Sequence, residues 1–344
     1  MAELVSLDEV RAAVARVKGV TVRTPLIPFP AATAAADAAA AEPPGKPRLL
    51  VKPESLQPTG AFKLRGAYNA ISALPASARA NGVVAHSSGN HGFAVAYAAA
   101  LLGVKAAIVV PDDAAKVKTD AIRQTGAELV RVRPTLAARV EGSRHIATTR
   151  GYAEIAPFDD RAVIAGQGTI GLEIAEDCAG QPPQAVLVPV GGGGLVAGVA
   201  VAIKALSPET RVIGVEPELA ADARESLRRG IRVAWPAADT ARTRADALRV
   251  EQVGELTFPH IREFVSDIVT VTEEEILKAI RRLIRQARLI AEPGGAVAVA
   301  AALFRDADDL ALTADGGPVV AVLSGGNIDP NLLAEVLAPE SYTG

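Results

Sequence analysis

Four short segments concentrate the residues that could do chemistry. In Thr59-Gly60-Ala61-Phe62-Lys63-Leu64-Arg65-Gly66-Ala67 a lysine stands among apolar neighbours just after a glycine turn. A lysine amine attacks carbonyl carbon when a dry pocket keeps it neutral, and Ala61, Phe62 and Leu64 would help dry it. Such a lysine is otherwise commonly a surface residue with its head in water. Gly191-Gly192-Gly193-Gly194 follows the apolar run Ala185–Val190 and precedes Leu195–Leu206. A helix start attracts phosphate through its free N–H groups, and glycines let the backbone come close. There is no Gly-Lys-Ser/Thr and no GxGxxG register, so this is neither a P-loop nor a dinucleotide fingerprint; a flexible turn is the alternative. Ser87-Ser88-Gly89-Asn90-His91-Gly92 ends one strand and opens a helix, where its amides can hold a carboxylate. Ser324-Gly325-Gly326-Asn327 follows the apolar strand Val319–Leu323.

The elements between these segments alternate. Ser6, with Glu9 three residues later, predicts a capped helix over 6–18. Strands are predicted at Leu49–Lys52, Val83–Ala85, Lys105–Val110, Glu128–Val132, Ala185–Val190, Arg211–Val215 and Val319–Leu323. Helices are predicted at Gly92–Leu102, Ala114–Thr125, Leu195–Leu206, Glu273–Arg288 and Gly295–Phe304. Strands alternating with helices imply parallel sheets. The mostly alanine stretch 31–45, ending Pro43-Pro44-Gly45, has helical propensity but reads as a surface excursion without chemistry.

With 344 residues the chain suits two domains. Aromatics are only 3% against 49% hydrophobic residues, so Ala, Val, Leu and Ile must build the core. A net charge of −3, with no basic excess, points away from nucleic acid. The single cysteine, Cys178, fits a reducing cytoplasm and reads as a small hydrophobe near a helix. No membrane span or signal peptide is expected.

Taken together, the four ordered motifs resemble the pyridoxal phosphate-dependent threonine/serine dehydratase and serine racemase family, of the tryptophan-synthase-β fold type, from about Thr21 to Asp329. The resemblance implies an α/β, two-domain fold type II enzyme, each domain a twisted, mostly parallel sheet flanked by helices. It places a large cofactor-binding domain at 1–75 plus 160–344 and a small inserted domain at 76–159. The chain stops too soon after Asp329 for the regulatory domain that biosynthetic relatives carry.

By the same resemblance Lys63 is the catalytic lysine and Ser88 faces it from the other side, as second acid/base in racemases and mainly as a binding group in dehydratases. Phe62, Asn90, Gly191, Gly192, Gly193, Gly194, Ala247, Glu292, Ser324 and Gly325 line the cofactor, Asn90 at its 3-hydroxyl and Ser324 at the pyridine nitrogen. A neutral hydroxyl there leaves a weaker electron sink than an aspartate would. Ser87, Ser88, Gly89, Asn90 and His91 meet the substrate carboxylate, His91 through its backbone N–H. Arg139 falls where some relatives place a carboxylate-binding arginine, and a solvated helix-face arginine is the alternative. Glu216, Ala220 and Asp222 are oxygen ligands for Mg, Mn or Ca in metal-activated relatives, although acidic loop residues are usually just solvated. Two departures stand out: Ala61 where relatives often have serine, and Ala247 where a glycine passes the cofactor. Phe158, where racemases tend to carry asparagine, points to the dehydratase. His86, His145 and His260 are structural or surface residues.

The expected activity is a threonine/serine ammonia-lyase, giving 2-oxobutanoate or pyruvate and ammonia; a serine racemase or a 3-hydroxyaspartate dehydratase shares every cofactor residue. The small amino-acid substrate is the expected partner, in a homodimer or homotetramer.

Overall fold

Two sheets organise the chain. The computed structural model describes residues 3–30, 47–87, 89–114, 116–313 and 316–338, so the alanine-rich stretch lies outside the described residues. Among the described residues ten strands, β1 (Ile27–Pro28), β2 (Leu49–Pro53), β3 (Val83–His86), β4 (Ala106–Pro111), β5 (Glu128–Val132), β6 (Ala153–Glu154), β7 (Ala185–Pro189), β8 (Arg211–Pro217), β9 (Asp267–Val271) and β10 (Val319–Leu323), form them. The larger sheet has the order β1-β2-β10-β7-β8-β9 and the smaller β5-β4-β3-β6. Every pairing is parallel except the short antiparallel edge of β1 on β2.

Parallel strands covered on both faces carry apolar side chains at every position, and β7 and β10 do so. Ala185, Leu187, Val319, Ala321 and Leu323 join the core beneath helices Glu273–Arg282 and Pro293–Phe304. The alternate residues Val186, Val188, Val320 and Val322 pack on the other face with helices Arg161–Asp177 and Gly194–Leu206. Those two helices approach backbone to backbone: a Cβ on Gly198 would lie 2.2 Å from the Ile164 carbonyl oxygen. In the smaller sheet Val83, Ala85, Ile108 and Val110 pack against helices Lys63–Ala73 and Asn90–Leu101. The helix that begins at Lys63 is therefore part of the smaller sheet's core.

Helix Leu7–Val17 begins with the expected capping box, Ser6 accepting from the Glu9 N–H and Glu9 from the Ser6 N–H. The expected helix over Glu273–Arg288 is corrected. It ends at Arg282, continues as a π turn over Leu283–Ala287, and reverses at Arg288, whose φ is +60°. The Leu289 N–H closes the turn on the Leu283 carbonyl, the kind of left-handed termination that satisfies orphan helix carbonyls. It delivers Glu292 to the start of the next helix. No helix among the described residues is long and apolar enough to cross a membrane.

Candidate active site

Lys63 is presented by a turn stitched to the end of β10. The Phe62 N–H donates to the Ser324 carbonyl (3.0 Å), the Gly326 N–H to the Gly60 carbonyl (2.8 Å), and Ala61 pairs with Gly325. Gly60 has φ +72°, and a Cβ there would lie 2.3 Å from Asn327 Oδ1, so only glycine fits. The Lys63 amine donates to the Pro157 carbonyl at 2.6 Å and lies 5.0 Å from the Phe62 ring centroid. Among the described residues no carboxylate pairs with it. Loss of hydration lowers its pKa to about 8.

Two residues on, Arg65 is fully buried and held bidentately on both sides. Its Nε and Nη2 reach Glu54 at 2.7 and 2.9 Å, and Nη1 and Nη2 reach Glu173 at 2.6 and 3.0 Å. Lys52, also fully buried, reaches Glu173 at 2.6 Å. This quartet locks the Lys63 helix to β2 and to helix Arg161–Asp177.

Gly191–Gly194 joins β7 to helix Gly194–Leu206. Gly193 has φ +93°. A Cβ on Gly192 would lie 2.2 Å from the Phe158 ring, and one on Gly193 2.7 Å from Thr257 Oγ1. Gly192 and Gly193 are buried, yet among the described residues their N–H groups have no partner. Buried N–H groups are rarely left so, and two at a helix start form an anion cradle.

The serine turn supplies the third wall. The Gly89 N–H donates to Ser87 Oγ at 3.2 Å, and helix Asn90–Leu101 follows. Ser88 lies outside the described residues. Asn90 Nδ2 donates to Glu292 Oε1 at 2.5 Å and accepts at Oδ1 from Asn327 Nδ2 at 2.7 Å; Asn327 also donates to the Thr59 carbonyl. The His91 ring is buried 2.8 Å from the Ile155 carbonyl oxygen. Burial, then the nearby Lys63 charge, lowers its pKa to about 3, so it is neutral and no base at ordinary pH. Ser324 is buried with its hydroxyl 3.4 Å from the Gly294 carbonyl. A cavity of about 280 Å³, lined by Arg244, Arg249, Glu292 and Asn327 among others, opens beside this chain of amides.

Contacts link the three parts of the site: Pro157 meets the Lys63 amine, its neighbour Phe158 meets Gly192, and the Phe62 N–H meets the Ser324 carbonyl. A family model described as "Pyridoxal-phosphate dependent enzyme" matches residues 17–325. The chain belongs to that family. The L-threonine ammonia-lyase of Thermotoga maritima is 43% identical over 289 residues, 84% of this chain and 69% of that protein. The serine racemase of Arabidopsis thaliana is 40% identical over 82% of this chain and 83% of its own. A threonine deaminase structure from T.th. is 46% identical with a TM-score of 0.84, covering 94% of this chain and 99% of that one. The fold is thus that of the fold type II pyridoxal phosphate enzymes.

The residues fit pyridoxal phosphate. The unpartnered N–H groups of the glycine loop suit a phosphate, and the unpaired amine suits an aldehyde. The Ala247 departure is harmless to the backbone: among the described residues only Arg288 and Ala311 are non-glycines at positive φ, so alanine fits here without strain. Instead, a Cβ at Gly294 would lie 3.1 Å from the Ala247 methyl, so the two small residues pack closely.

Arg139, on helix Leu136–Arg150, is half-buried and near enough to His86 to help lower that imidazole's pKa, second to burial and against Glu154. Among the described residues the buried His86 Nδ1 has no hydrogen-bond partner. His260 accepts from the Val5 N–H at 2.8 Å, a structural role, and His145 is exposed. Glu216, at the end of β8, accepts from the Ala223 and Arg224 N–H groups at 3.0 and 2.8 Å. Among the described residues both oxygens of buried Asp222 lack a well-formed hydrogen bond. Burial pushes the Asp222 carboxyl up to about 7; burial, then the Asp222 charge, raises Glu216 well above the usual range. Among the described residues no three His, Cys, Asp or Glu side chains converge on one point.

Sequence reasoning missed Pro157, Asp159 and Thr257. Asp159 accepts from the N–H groups of Glu255 (2.9 Å), Leu256 (2.8 Å) and Thr257 (3.2 Å). Those partners lie almost a hundred residues away, so no local pattern marks the role.

Proposed function

We propose that this chain is a threonine/serine ammonia-lyase, removing water from L-threonine or L-serine to give 2-oxobutanoate or pyruvate and ammonia. The observation that carries this is the Lys63 amine: half-buried, with no carboxylate partner among the described residues and a pKa of about 8, it is a base poised near neutral pH. When bound, pyridoxal phosphate supplies the electron sink that makes an amino acid's Cα–H acidic. Lys63 Nζ takes the Cα proton. The Gly89 amide and the His91 N–H hold the substrate carboxylate. Gly191–Gly194 would hold the phosphate, and Ser324, Asn90 and Glu292 would hold the cofactor ring. Loss of the β-hydroxyl as water leaves an enamine, which on release tautomerises and takes up one water to yield the 2-oxo acid and ammonia.

The asparagine-to-phenylalanine difference at Phe158 supports the lyase over the racemase, and the threonine ammonia-lyase relative supports it too. In this reading residues 76–159 form the small domain and residues 1–75 plus 160–344 the large one. Asp222, Glu216 and the Ala220 carbonyl take a hard divalent cation, because the orphaned Asp222 oxygens fit one. The working form is a cytoplasmic homodimer or homotetramer. Cofactor-loaded protein given L-threonine or L-serine should release 2-oxo acid and ammonia, and Lys63→Ala should not. D-Serine as the main product would replace this reading with the racemase.

A further inference from the structure

We propose that Asp159 and Thr257 are positioning residues for the cofactor phosphate, acting together through the start of helix Thr257–Phe264. The inference rests on the reading that Gly191–Gly194 holds that phosphate.

The Gly192 carbonyl accepts from Thr257 Oγ1 at 2.7 Å and from the Gly254 N–H at 3.2 Å. The C=O and N–H of a trans peptide point in opposite directions. Fixing the Gly192 carbonyl toward Thr257 therefore fixes the Gly193 N–H away from it, and that N–H has no partner among the described residues. Gly193 cannot relax by carrying a side chain, since a Cβ there would meet Thr257 Oγ1 at 2.7 Å and Ile261 at 3.0 Å. Thr257 is fully buried, so its hydroxyl has no water to turn to.

Asp159 sets where Thr257 sits. Its carboxylate takes the three N–H groups of Glu255, Leu256 and Thr257, the free donors expected at a helix start. The packing leaves no slack, because a Cβ on Gly254 would lie 2.0 Å from Asp159 Oδ1. Asp159 also ends a short strap that touches the other parts of the site. Pro157 offers its carbonyl to the Lys63 amine, and Phe158 lies on Gly192. One strap thus sets the spacing between the amine and the phosphate cradle.

The test titrates apoprotein with pyridoxal phosphate, following absorbance and the phosphorus resonance of the bound cofactor. Thr257→Val keeps the shape and removes the hydroxyl; it should weaken cofactor binding roughly five- to tenfold and shift the phosphorus resonance. Its kcat at saturating cofactor should stay within about twofold, and Thr257→Ser should restore affinity. Asp159→Asn should also weaken binding, and the double variant should lose less than the sum. Ile276→Ala, a core deletion on the far face of the larger sheet, lowers stability and should leave cofactor affinity alone. Thr257→Val that binds cofactor as the parent does, or only melts earlier as Ile276→Ala does, overturns the inference. A parent protein that takes up no pyridoxal phosphate overturns the cofactor reading and this inference with it, whereas normal uptake by parent and variant alike removes only the inference.

Discussion

Lys63 Nζ lies 2.6 Å from the carbonyl oxygen of Pro157, a partner that can hold an ammonium but cannot take its proton. The amine therefore keeps its proton until bulk pH or a substrate removes it. Burial brings the pKa down to about 8. Only the neutral amine attacks an aldehyde, so uptake of pyridoxal phosphate by apoprotein should rise with pH and level off above about 8. Stopped-flow absorbance would trace the curve. A rate independent of pH from 6 to about 9 would show that the amine is already neutral.

The carboxyls of Asp222 and Glu216 make a second, opposite pH prediction. Both pKa values are raised in the folded protein, that of Asp222 from 3.8 to about 7. The folded state then holds more protons than the unfolded one across that window. Without divalent cations, stability should be full below about pH 4 for this site and fall as pH rises toward 7. Mg²⁺, Mn²⁺ or Ca²⁺ at pH 7.5 should raise the melting temperature, and Asp222→Asn should abolish that response. An unchanged melting temperature with all three ions would remove the cation from the proposed function.

Arg65 is buried with carboxylates on both sides, so deleting it leaves Glu54 and Glu173 without their shared cation. Arg65→Ala should cost about 3–5 kcal/mol in denaturant unfolding. Arg65→Lys should recover little of this, because an ammonium cannot reproduce two bidentate contacts.

Gly192→Ala is expected to be severe for a steric reason. Its methyl would sit 2.2 Å from the Phe158 ring, which would have to leave the loop. Pyridoxal phosphate affinity should fall at least tenfold, measured by fluorescence titration. The smaller change Phe158→Asn opens space there, and paired with Gly192→Ala it should restore part of the affinity.

Much of the fold was legible because its signals are local. The Ser6 capping box and the apolar runs of β7 and β10 stand where their residue types put them. The glycine loop was legible because four glycines between a buried strand and a helix leave few uses. The termination at Arg288 was hidden, since the helical pattern runs on through a residue that the closing hydrogen bond of Leu289 turns left-handed. β1 is too short to show a period. At the site, Lys63 was readable but Pro157 was not, because a backbone carbonyl has no signature of its own. The partners of Arg65 lie 11 and 108 residues away, and only folding brings them together.

The stitching of the lysine turn to the end of β10 also sets an order of events as the chain is made. The smaller sheet is drawn from one continuous stretch, β3 through β6, and can assemble from its own neighbours. In the larger sheet β2 pairs with β10, some 270 residues later, and contacts so distant form slowly. During synthesis the Lys63 turn emerges early and waits unsupported until Ser324 and Gly326 leave the ribosome and close it. The turn that carries Lys63 is therefore completed only by the last strand of the larger sheet.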